Sequence, residues 1–476
     1  MFKLEAPYRN CFVLISVLCV FEFFIFRDLP FFWDAISKSS RANWIYSNHF
    51  SDLILPTDRS SGHPQLWTTL IALFWTVFGK TIASARFLLL LINIGVGYQV
   101  ILLFKYFFKK ELSPYLIFLV FLDPTFLAQT TSLNNDMLLL FFTLLGLNAV
   151  LRQRQLLLLL ALTGALFTNL RGIYIVVALA IIQLVYYKQG VLIKSKKLWL
   201  PFICSATVFL VFCVYHYTKL GWVIVTPNPA YNSHRELTTL KNIGINTIVY
   251  IKNFLEYGRL VLYGIMLFLG YRYFENHIKT TGITKEFKCI FIPILVFSVV
   301  FFLGMVPFSN PIGTRYFMIV YILLTLLLFH FIQVLKIKYD SALYGVVAIA
   351  LISGNFWVYP ATISQSWDSS LAYLNYYPVE RKMEDFLESS DIERQSIGTR
   401  VRFNNRNDAE LIELKDEMKY SDFNMESNPY IMLSNIENYT KDEEFLNISQ
   451  NWELVKSFNQ CGIFLSLYKN PKFNQN

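Results

Sequence analysis

The charges able to do chemistry in this 476-residue chain stand at the ends of apolar runs. Asp34 follows the aromatic stretch FFW, and Asp136 follows SLNN and opens the run MLLLFF. Arg86, Arg171 and Arg315 each open or interrupt a further apolar run, in ASARF, TNLRGIYIV and GTRYF. Arginine suits a phosphate because its planar fork of N–H groups makes bidentate, charge-assisted bonds. A carboxylate beside such a site can take the proton of an attacking hydroxyl. The combination fits transfer of a group from a lipid phosphate at a membrane face. Each residue also has a plainer reading. Asp34 reads as an interface carboxylate or a helix cap, and Asp136 as an acid favoured by the dipole at a helix start. Arg171 reads as a side chain snorkelling to headgroups, and Arg315 as an interface anchor. Asp123, followed by Pro124, equally reads as a turn residue.

The elements that must position these charges are membrane helices. The chain is 55% hydrophobic and 16% charged, with a mean hydropathy of +0.42. A soluble domain averages about a quarter charged residues, so lipid solvates most of this chain. The 44 Phe and 28 Tyr suit lipid-facing helices with aromatic belts at the two interfaces. Five of the six cysteines lie in apolar runs and Cys461 lies in the polar tail, which argues against a disulfide framework. The first apolar run follows Lys3 and Arg9 but precedes no small-residue cleavage site, and it reads as a retained span. Nothing in the composition points to nucleic acid.

A spanning helix needs about 20 apolar residues. Candidate spans lie near residues 11–26, 86–104, 114–131, 136–151, 155–169, 172–187, 198–218, 256–274, 288–306, 316–334 and 341–359. Alternate connections are basic: Lys105, Lys109 and Lys110; Arg152 and Arg154; residues 188–197; residues 279–288; Lys336 and Lys338. Cytoplasmic loops carry such an excess, so the N-terminus is expected inside the cell membrane and the C-terminus outside. The apolar segment 66–78 is short for a span, at roughly 20 Å of helix. If it crossed, every later basic loop would be external, so it reads as an interface helix.

Residues 361–476 hold 19 acidic and 12 basic residues, whereas the remainder holds 30 basic and 14 acidic. The membrane part is basic towards the cytoplasm, and the tail reads as an acidic, external soluble α+β domain. A helix is expected over 379–388, and strands over 397–403, 430–433, 452–458 and 463–468. The domains are therefore residues 1–360 in the membrane, with a first external loop over 27–85, and 361–476 outside it. That first loop is long, at about 60 residues, and loops of such length are usually functional. Trp44, Tyr46 and Phe50 suggest an amphipathic helix lying in the interface.

The order of these features resembles the GT-C superfamily of polyprenyl-phosphate-sugar glycosyltransferases, and within it the bacterial protein O-mannosyltransferase-like and aminoarabinose-transferase-like enzymes. The family's acidic motif at the end of the first helix, usually Asp-Glu, is matched by Trp33-Asp34-Ala35, without the second acid. A Gly-His-Pro-Pro-Leu-like stretch is matched by Gly62-His63-Pro64-Gln65-Leu66, followed by Ala85-Arg86-Phe87. Pro124, Gln129 and Asp136 match a later acidic motif, Arg171-Gly172 stands where the family has Lys-Gly, and Arg315-Tyr316 matches the Arg-Tyr pair that opens a late helix. The resemblance implies an α-helical polytopic membrane fold and an inverting sugar transfer on the external face. It implies a polyprenyl-phosphate-linked hexose or pentose as donor and a hydroxyl of protein, lipid A or cell-envelope glycan as acceptor. Asp34, with Asp136, would be catalytic; Arg86, Arg171 and Arg315 would hold the donor phosphate; His63 and Tyr316 would contact substrate. With Asp34 lacking its acidic neighbour, no tightly bound cofactor or metal is expected, while His63 near Asp34 leaves room for a divalent cation.

A lipid-linked sugar flippase would show helix breaks or charges at mid-membrane and internal repeats, and the sequence displays neither. A polysaccharide polymerase or ligase would place its large external loop late, whereas here it comes first. The expected sidedness is tested by labelling introduced cysteines from outside intact cells. Residues 35–62 and the tail should react; reaction near Lys196 would reverse the topology.

Overall fold

The computed structural model describes residues 4–108, 112–193, 195–229, 231–400 and 420–473. Helix α1 (Ala6–Phe26) starts on Pro7, whose fixed φ suits a first turn. Its Val13, Val17, Phe21 and Phe24 are exposed, as lipid-facing side chains must be. In the first loop, α2 (Asp34–Ser47) packs on α3 (Leu66–Phe78), and α3 packs in turn on α4 (Ile82–Phe108). A broken stretch follows: a 3₁₀ turn (Pro114–Ile117), α5 (Phe118–Phe121) and α6 (Pro124–Thr131). Then come α7 (Asp136–Leu151), α8 (Gln155–Thr168), α9 (Gly172–Lys188), α10 (Leu200–Leu220), α11 (Leu240–Leu255), α12 (Arg259–Tyr273), the short α13 (Lys279–Thr281), α14 (Lys285–Met305), α15 (Met318–Val334) and α16 (Asp340–Ser353).

Among the described residues, five helices are long and apolar enough to cross a membrane, or seven if each of two bent pairs counts as one span. Shorter apolar helices, α3, α8, α9 and α16 among them, complete the bundle. Helix α15 is apolar all round and buried from Met318 to Ile332, so it is the bundle's core helix. Small residues let neighbours close on one another: a Cβ on Gly97 would meet Ile15, and one on Gly172 would run into the Ala165 carbonyl. The second contact fixes how α9 leaves α8, and therefore where Arg171 sits.

Two helix breaks, which the sequence did not display, shape the face of the bundle that carries Asp34 and Asp136. Helices α6 and α7 meet at 119°, and α11 and α12 at 85°. Helix α6 begins where it does because the Asp123 carboxylate accepts from the Thr125 and Phe126 N–H groups (2.9 and 3.2 Å) and Pro124 fits a first turn. Helix α12 begins after Gly258 (φ +81°), where any Cβ would collide with the Ala350 carbonyl. One ion pair ties the two starts together. Arg259, fully buried, grips Asp123 with Nε and Nη2 at 2.7 Å each, reaches the Thr125 hydroxyl at 2.5 Å, and lies over the Tyr321 ring of α15.

The tail carries α17 (Tyr376–Glu388), α18 (Asp442–Asn451) and a mixed sheet of β1 (Ile397–Thr399), β2 (Ser421–Asp422), β3 (Tyr430–Ser434), β4 (Glu453–Gln460) and β5 (Ile463–Lys469), in the order β2-β1-β3-β5-β4. Strand β1 pairs in parallel with β2 and β3, and β5 lies antiparallel to β3 and β4. Cys461 and Gly462, both at positive φ, form the tight turn between β4 and β5. Its core includes Phe32 and Ala128 of the membrane part beside Trp367, Tyr373 and Val379. The tail is thus packed onto one face of the bundle.

Most expected spans coincide with helices, but 114–131 does not: its apolar run is cut at Leu122–Asp123 by the cap just described. Helix α11 lies in a stretch left unassigned by the sequence, because Lys241, Asn242, Asn246, Lys252 and Asn253 dilute its apolar pattern. Helix α18 was likewise unassigned; its start is made by Glu444 accepting from the Lys441 N–H at 3.1 Å. Lys109, Lys110 and the expected strand residues 401–403 lie outside the described residues. Removing one partner of a buried ion pair leaves the other charge stranded, at a cost of about 3–5 kcal/mol. Asp123→Ala should therefore lower the unfolding temperature in detergent sharply, whereas Asp52→Asn should leave it unchanged.

Candidate active site at converging helix starts

Asp34 is the first residue of α2 and Asp136 the first of α7; Arg171 immediately precedes α9, and Arg315 lies in the 3₁₀ turn (Thr314–Phe317) that leads into α15. Four helix starts therefore converge. Each presents the positive end of its dipole, a setting that favours anions, although backbone carbonyls already take several of the first N–H groups, those of Ala35, Ile36, Gly172 and Ile173 among them. The site's own carboxylates exploit it first. Trp33, just before Asp34, holds positive φ (+48°), an uncommon conformation for a non-glycine residue and one that turns the chain sharply into α2.

Arg315 is the hub. Its Nη2 meets Asp34 Oδ2 at 2.5 Å, its Nε lies 3.2 Å from Asp136 Oδ2, and its Nη1 pairs with Asp368 Oδ2. Arg171 Nη1 meets the other oxygen of Asp136 at 2.7 Å and stacks over the Tyr316 ring at 3.6 Å. The Asp136 contacts are close ion pairs whose angles fall short of hydrogen bonds. Lys38, one turn after Asp34, lies 3.6 Å from its Oδ2 and donates to Asn134 Oδ1 at 3.3 Å. Asn134 Nδ2 in turn donates to Asp368 Oδ2 at 3.1 Å. The Asp136 side chain is 2% exposed, but Asp34 keeps 46%, so Asp34 is the carboxylate open to solvent, and its exposed side is taken as the mouth of the site.

Further cations ring that mouth. Arg41 donates to the Arg59 carbonyl (2.9 Å) and the Tyr231 hydroxyl (3.0 Å), and Arg235 donates to the Ser61 carbonyl (3.3 Å). Among the described residues neither is ion-paired with a carboxylate, so both keep N–H donors and full charge for a ligand. Tyr439 of the tail stacks on Trp33 at the same opening. Beside the site, Ile54, Leu55, Phe209, Phe212 and Ile224, with His63, Gln65 and His216, line a small pocket of mixed character.

These charges set one another's ionisation. Burial pushes the Asp34 carboxyl up, but Lys38, Arg315, Arg41 and Arg171 together outweigh it and hold it below the usual carboxylate range. Burial pulls the Lys38 ammonium down and Asp34 pulls it back, leaving it at about 8. His63 is pushed well below its ordinary value by burial and by the surrounding cations, Arg235 first. It is a neutral imidazole whose Nδ1 accepts from the Leu170 N–H at 3.4 Å, which leaves the proton on Nε2.

Of the residues singled out in the sequence, Asp34, Asp136, Arg171, Arg315 and Tyr316 come together, and His63 sits at the edge, bonded next to Arg171. Arg86 lies elsewhere. Its guanidinium donates to the carbonyls of Leu29 (2.7 Å) and Thr131 (2.6 Å), binding the end of α6 to the start of the first loop. Sequence reading did not assign Lys38, Arg41 or Asp368. The i, i+4 spacing of Asp34 and Lys38 was a usable signal; Asp368, in the plain stretch SWDSS, carried none. Among the described residues, no three His, Cys, Asp or Glu side chains are grouped as a metal site.

No protein-family model matches the chain, and no curated protein matches its sequence. Its fold does match solved structures. It superposes on the crystal structure of ArnT from Cupriavidus metallidurans bound to undecaprenyl phosphate with a TM-score of 0.51 and 11% identity, over 97% of this chain and 98% of that one. The apo state of the same ArnT gives a TM-score of 0.54 and 11% identity over 96% and 98%. With its apolar helices and its small C-terminal sheet packed on one face, the chain is a polytopic membrane protein with a GT-C-like fold.

Proposed function

We propose that this protein is a membrane glycosyltransferase that moves a sugar from a polyprenyl-phosphate donor to an acceptor hydroxyl at the external face, with inversion. The observation that supports it most is Asp34, an ionised carboxylate facing an open mouth, set among cations at converging helix starts. The ArnT structure of like fold binds undecaprenyl phosphate, which supports a polyprenyl-linked donor here. In this reading Arg41 and Arg235 receive the phosphate, Arg171 and Lys38 add positive charge beside it from within their ion pairs, and the pocket beside His63 takes the start of the lipid chain. The acceptor oxygen attacks the anomeric carbon opposite the phosphate. As the new C–O bond forms, the acceptor proton passes to Asp34 Oδ and the old C–O bond breaks, its electron pair leaving on polyprenyl phosphate. A carboxylate with a depressed pKa is a weak base, but the acceptor hydroxyl becomes strongly acidic as it bonds to the sugar, so a late proton transfer suffices. The fixed cations stabilise the charge gathering on the departing phosphate without reorganising. Acceptors are sought by mass spectrometry of glycoproteins and glycolipids from cells with and without the gene.

The assignment of the base is tested with purified, membrane-inserted protein and a synthetic polyprenyl-phosphate sugar. General-base assistance is worth about 10²- to 10⁴-fold, so Asp34→Asn should bind donor yet lose turnover by that order. Asp52, which accepts from the Ile54 N–H at 2.9 Å away from the mouth, serves as control, and Asp52→Asn should turn over normally. An active Asp34→Asn beside a dead Asp136→Asn would move the base to Asp136. Arg171→Ala should weaken donor use, since it removes positive charge beside the phosphate and leaves Asp136 short of a partner, and Arg171→Lys should restore part of it.

The pH profile is a separate test. Lys38 is charged below about 8 and neutral above, so donor affinity should fall as pH rises through that value, and Lys38→Arg should carry the fall to higher pH. Asp34 stays ionised through the usual carboxylate range, so no loss of rate should appear there on the acid side. An alkaline limb that Lys38→Arg leaves in place would remove Lys38 from the site.

A further inference from the structure

We propose that Asp368, carried by the first turn of the tail domain, is a positioning residue that fixes Arg315 on Asp34 and keeps that guanidinium for carboxylates rather than for the donor phosphate. This rests on the reading of the site as one for a polyprenyl phosphate. The turn Trp367–Ser369 is buried against the membrane domain at every residue, with Asp368 only 5% exposed. Its backbone is held from below: Gln129 Nε2 donates to the Asp368 carbonyl at 2.6 Å, and the Thr125 hydroxyl to the Ser369 carbonyl at 3.1 Å. The side chain is thereby aimed at Arg315 Nη1, with Asn134 Nδ2 on the same carboxylate oxygen.

The consequence lies in how Arg315 is shared. A guanidinium has three nitrogens, and here each faces a different carboxylate: Nε Asp136, Nη1 Asp368 and Nη2 Asp34. Without the Asp368 charge Nη1 would lose its anionic partner, and the guanidinium would have an incentive to turn to an incoming phosphate and release Asp34. With it, three fixed anions hold the plane of the guanidinium, and Asp34 stays oriented while the phosphate goes to cations not already ion-paired, Arg41 and Arg235. The tail thus supplies a charged residue that the membrane part lacks, and the site is incomplete until the tail is docked.

Hydrogen–deuterium exchange on the full-length protein in detergent, with and without undecaprenyl phosphate, tests this. Asp368→Asn keeps the shape and removes the charge. Exchange should rise at the starts of α2 and at residues 314–317, while the sheet of β3, β4 and β5 keeps its protection, and Asp368→Glu should restore part of the order. Undecaprenyl phosphate, followed by tryptophan fluorescence, should bind Asp368→Asn more tightly by about fivefold, as expected for removing one nearby negative charge behind partial screening. A merely structural contact would not tighten binding. Unchanged exchange at both starts, exchange that spreads into the sheet, or binding that is equal or weaker overturns the proposal. Failure of the wild-type protein to bind undecaprenyl phosphate would instead refute the phosphate reading, and the exchange measurements would still decide whether Asp368 positions Arg315.

Discussion

A guanidinium largely enclosed at one face of a membrane bundle must be neutralised where it stands, and Arg315 meets that requirement with three carboxylates drawn from three parts of the chain. Burying an unpaired charge costs several kcal/mol or more, so a partner at each edge is a condition of folding as much as of chemistry. Asp34 brings the first loop, Asp136 brings α7, and Asp368 brings the tail. Because α15 is the core helix and Arg315 lies in the turn that leads into it, these three segments are anchored to the most deeply buried of the long helices. The long first loop and the soluble tail, which share no sequence proximity, are thereby held over one point.

Convergence of this kind requires helices that stop short. A continuous span carries its N-terminus to the headgroups, where water satisfies the free N–H groups. Here the turn SLNN ends α6 and starts α7 at 119°, setting Asp136 inside protein rather than at the surface. The carbonyls exposed at the end of α6 are then met by Arg86 and by Asn93, which donates to Thr130 at 3.0 Å. Non-helical backbone near a membrane is tolerated only where protein or water satisfies it, and Arg86 does that work. Its position in an Ala-Arg-Phe motif therefore reflects the break, a structural need that lies next to the site and serves it.

Much of this was legible in the sequence, for physical reasons. An idle charge is expensive at an apolar helix end, so Asp34, Asp136, Arg171 and Arg315 stand out without any knowledge of the fold, and the structure gathers all four. Arg86 stood out by the same rule, but the rule detects a charge that needs a partner and does not say whether the partner is a ligand or a carbonyl. Asp368 was invisible because a carboxylate among polar residues of a soluble tail is commonplace; only the packing of the turn against Gln129 and Thr125 gives it meaning. The break at Asp123 was half visible. Asp-Pro suggested a turn, yet the flanking apolar residues summed to a span, and hydropathy alone does not register that Arg259, over 130 residues later, would come to bind that carboxylate.

The balance of charge within the site bears on what it can receive. Lys38, Arg171 and Arg315 face Asp34, Asp136 and Asp368, so the inner set is neutral and is ordered without any ligand. Arg41 and Arg235 lie outside that set, bonded to neutral oxygens. An anion reaching the mouth therefore meets two cations that lose no carboxylate when they turn towards it, while the inner pairs keep Asp34 in place. Had the inner arginines been left open instead, binding a phosphate would have meant breaking the same contacts that orient the carboxylate. Separating the two tasks lets the site accept a charged group, and release it, without dismantling the arrangement that acts on it.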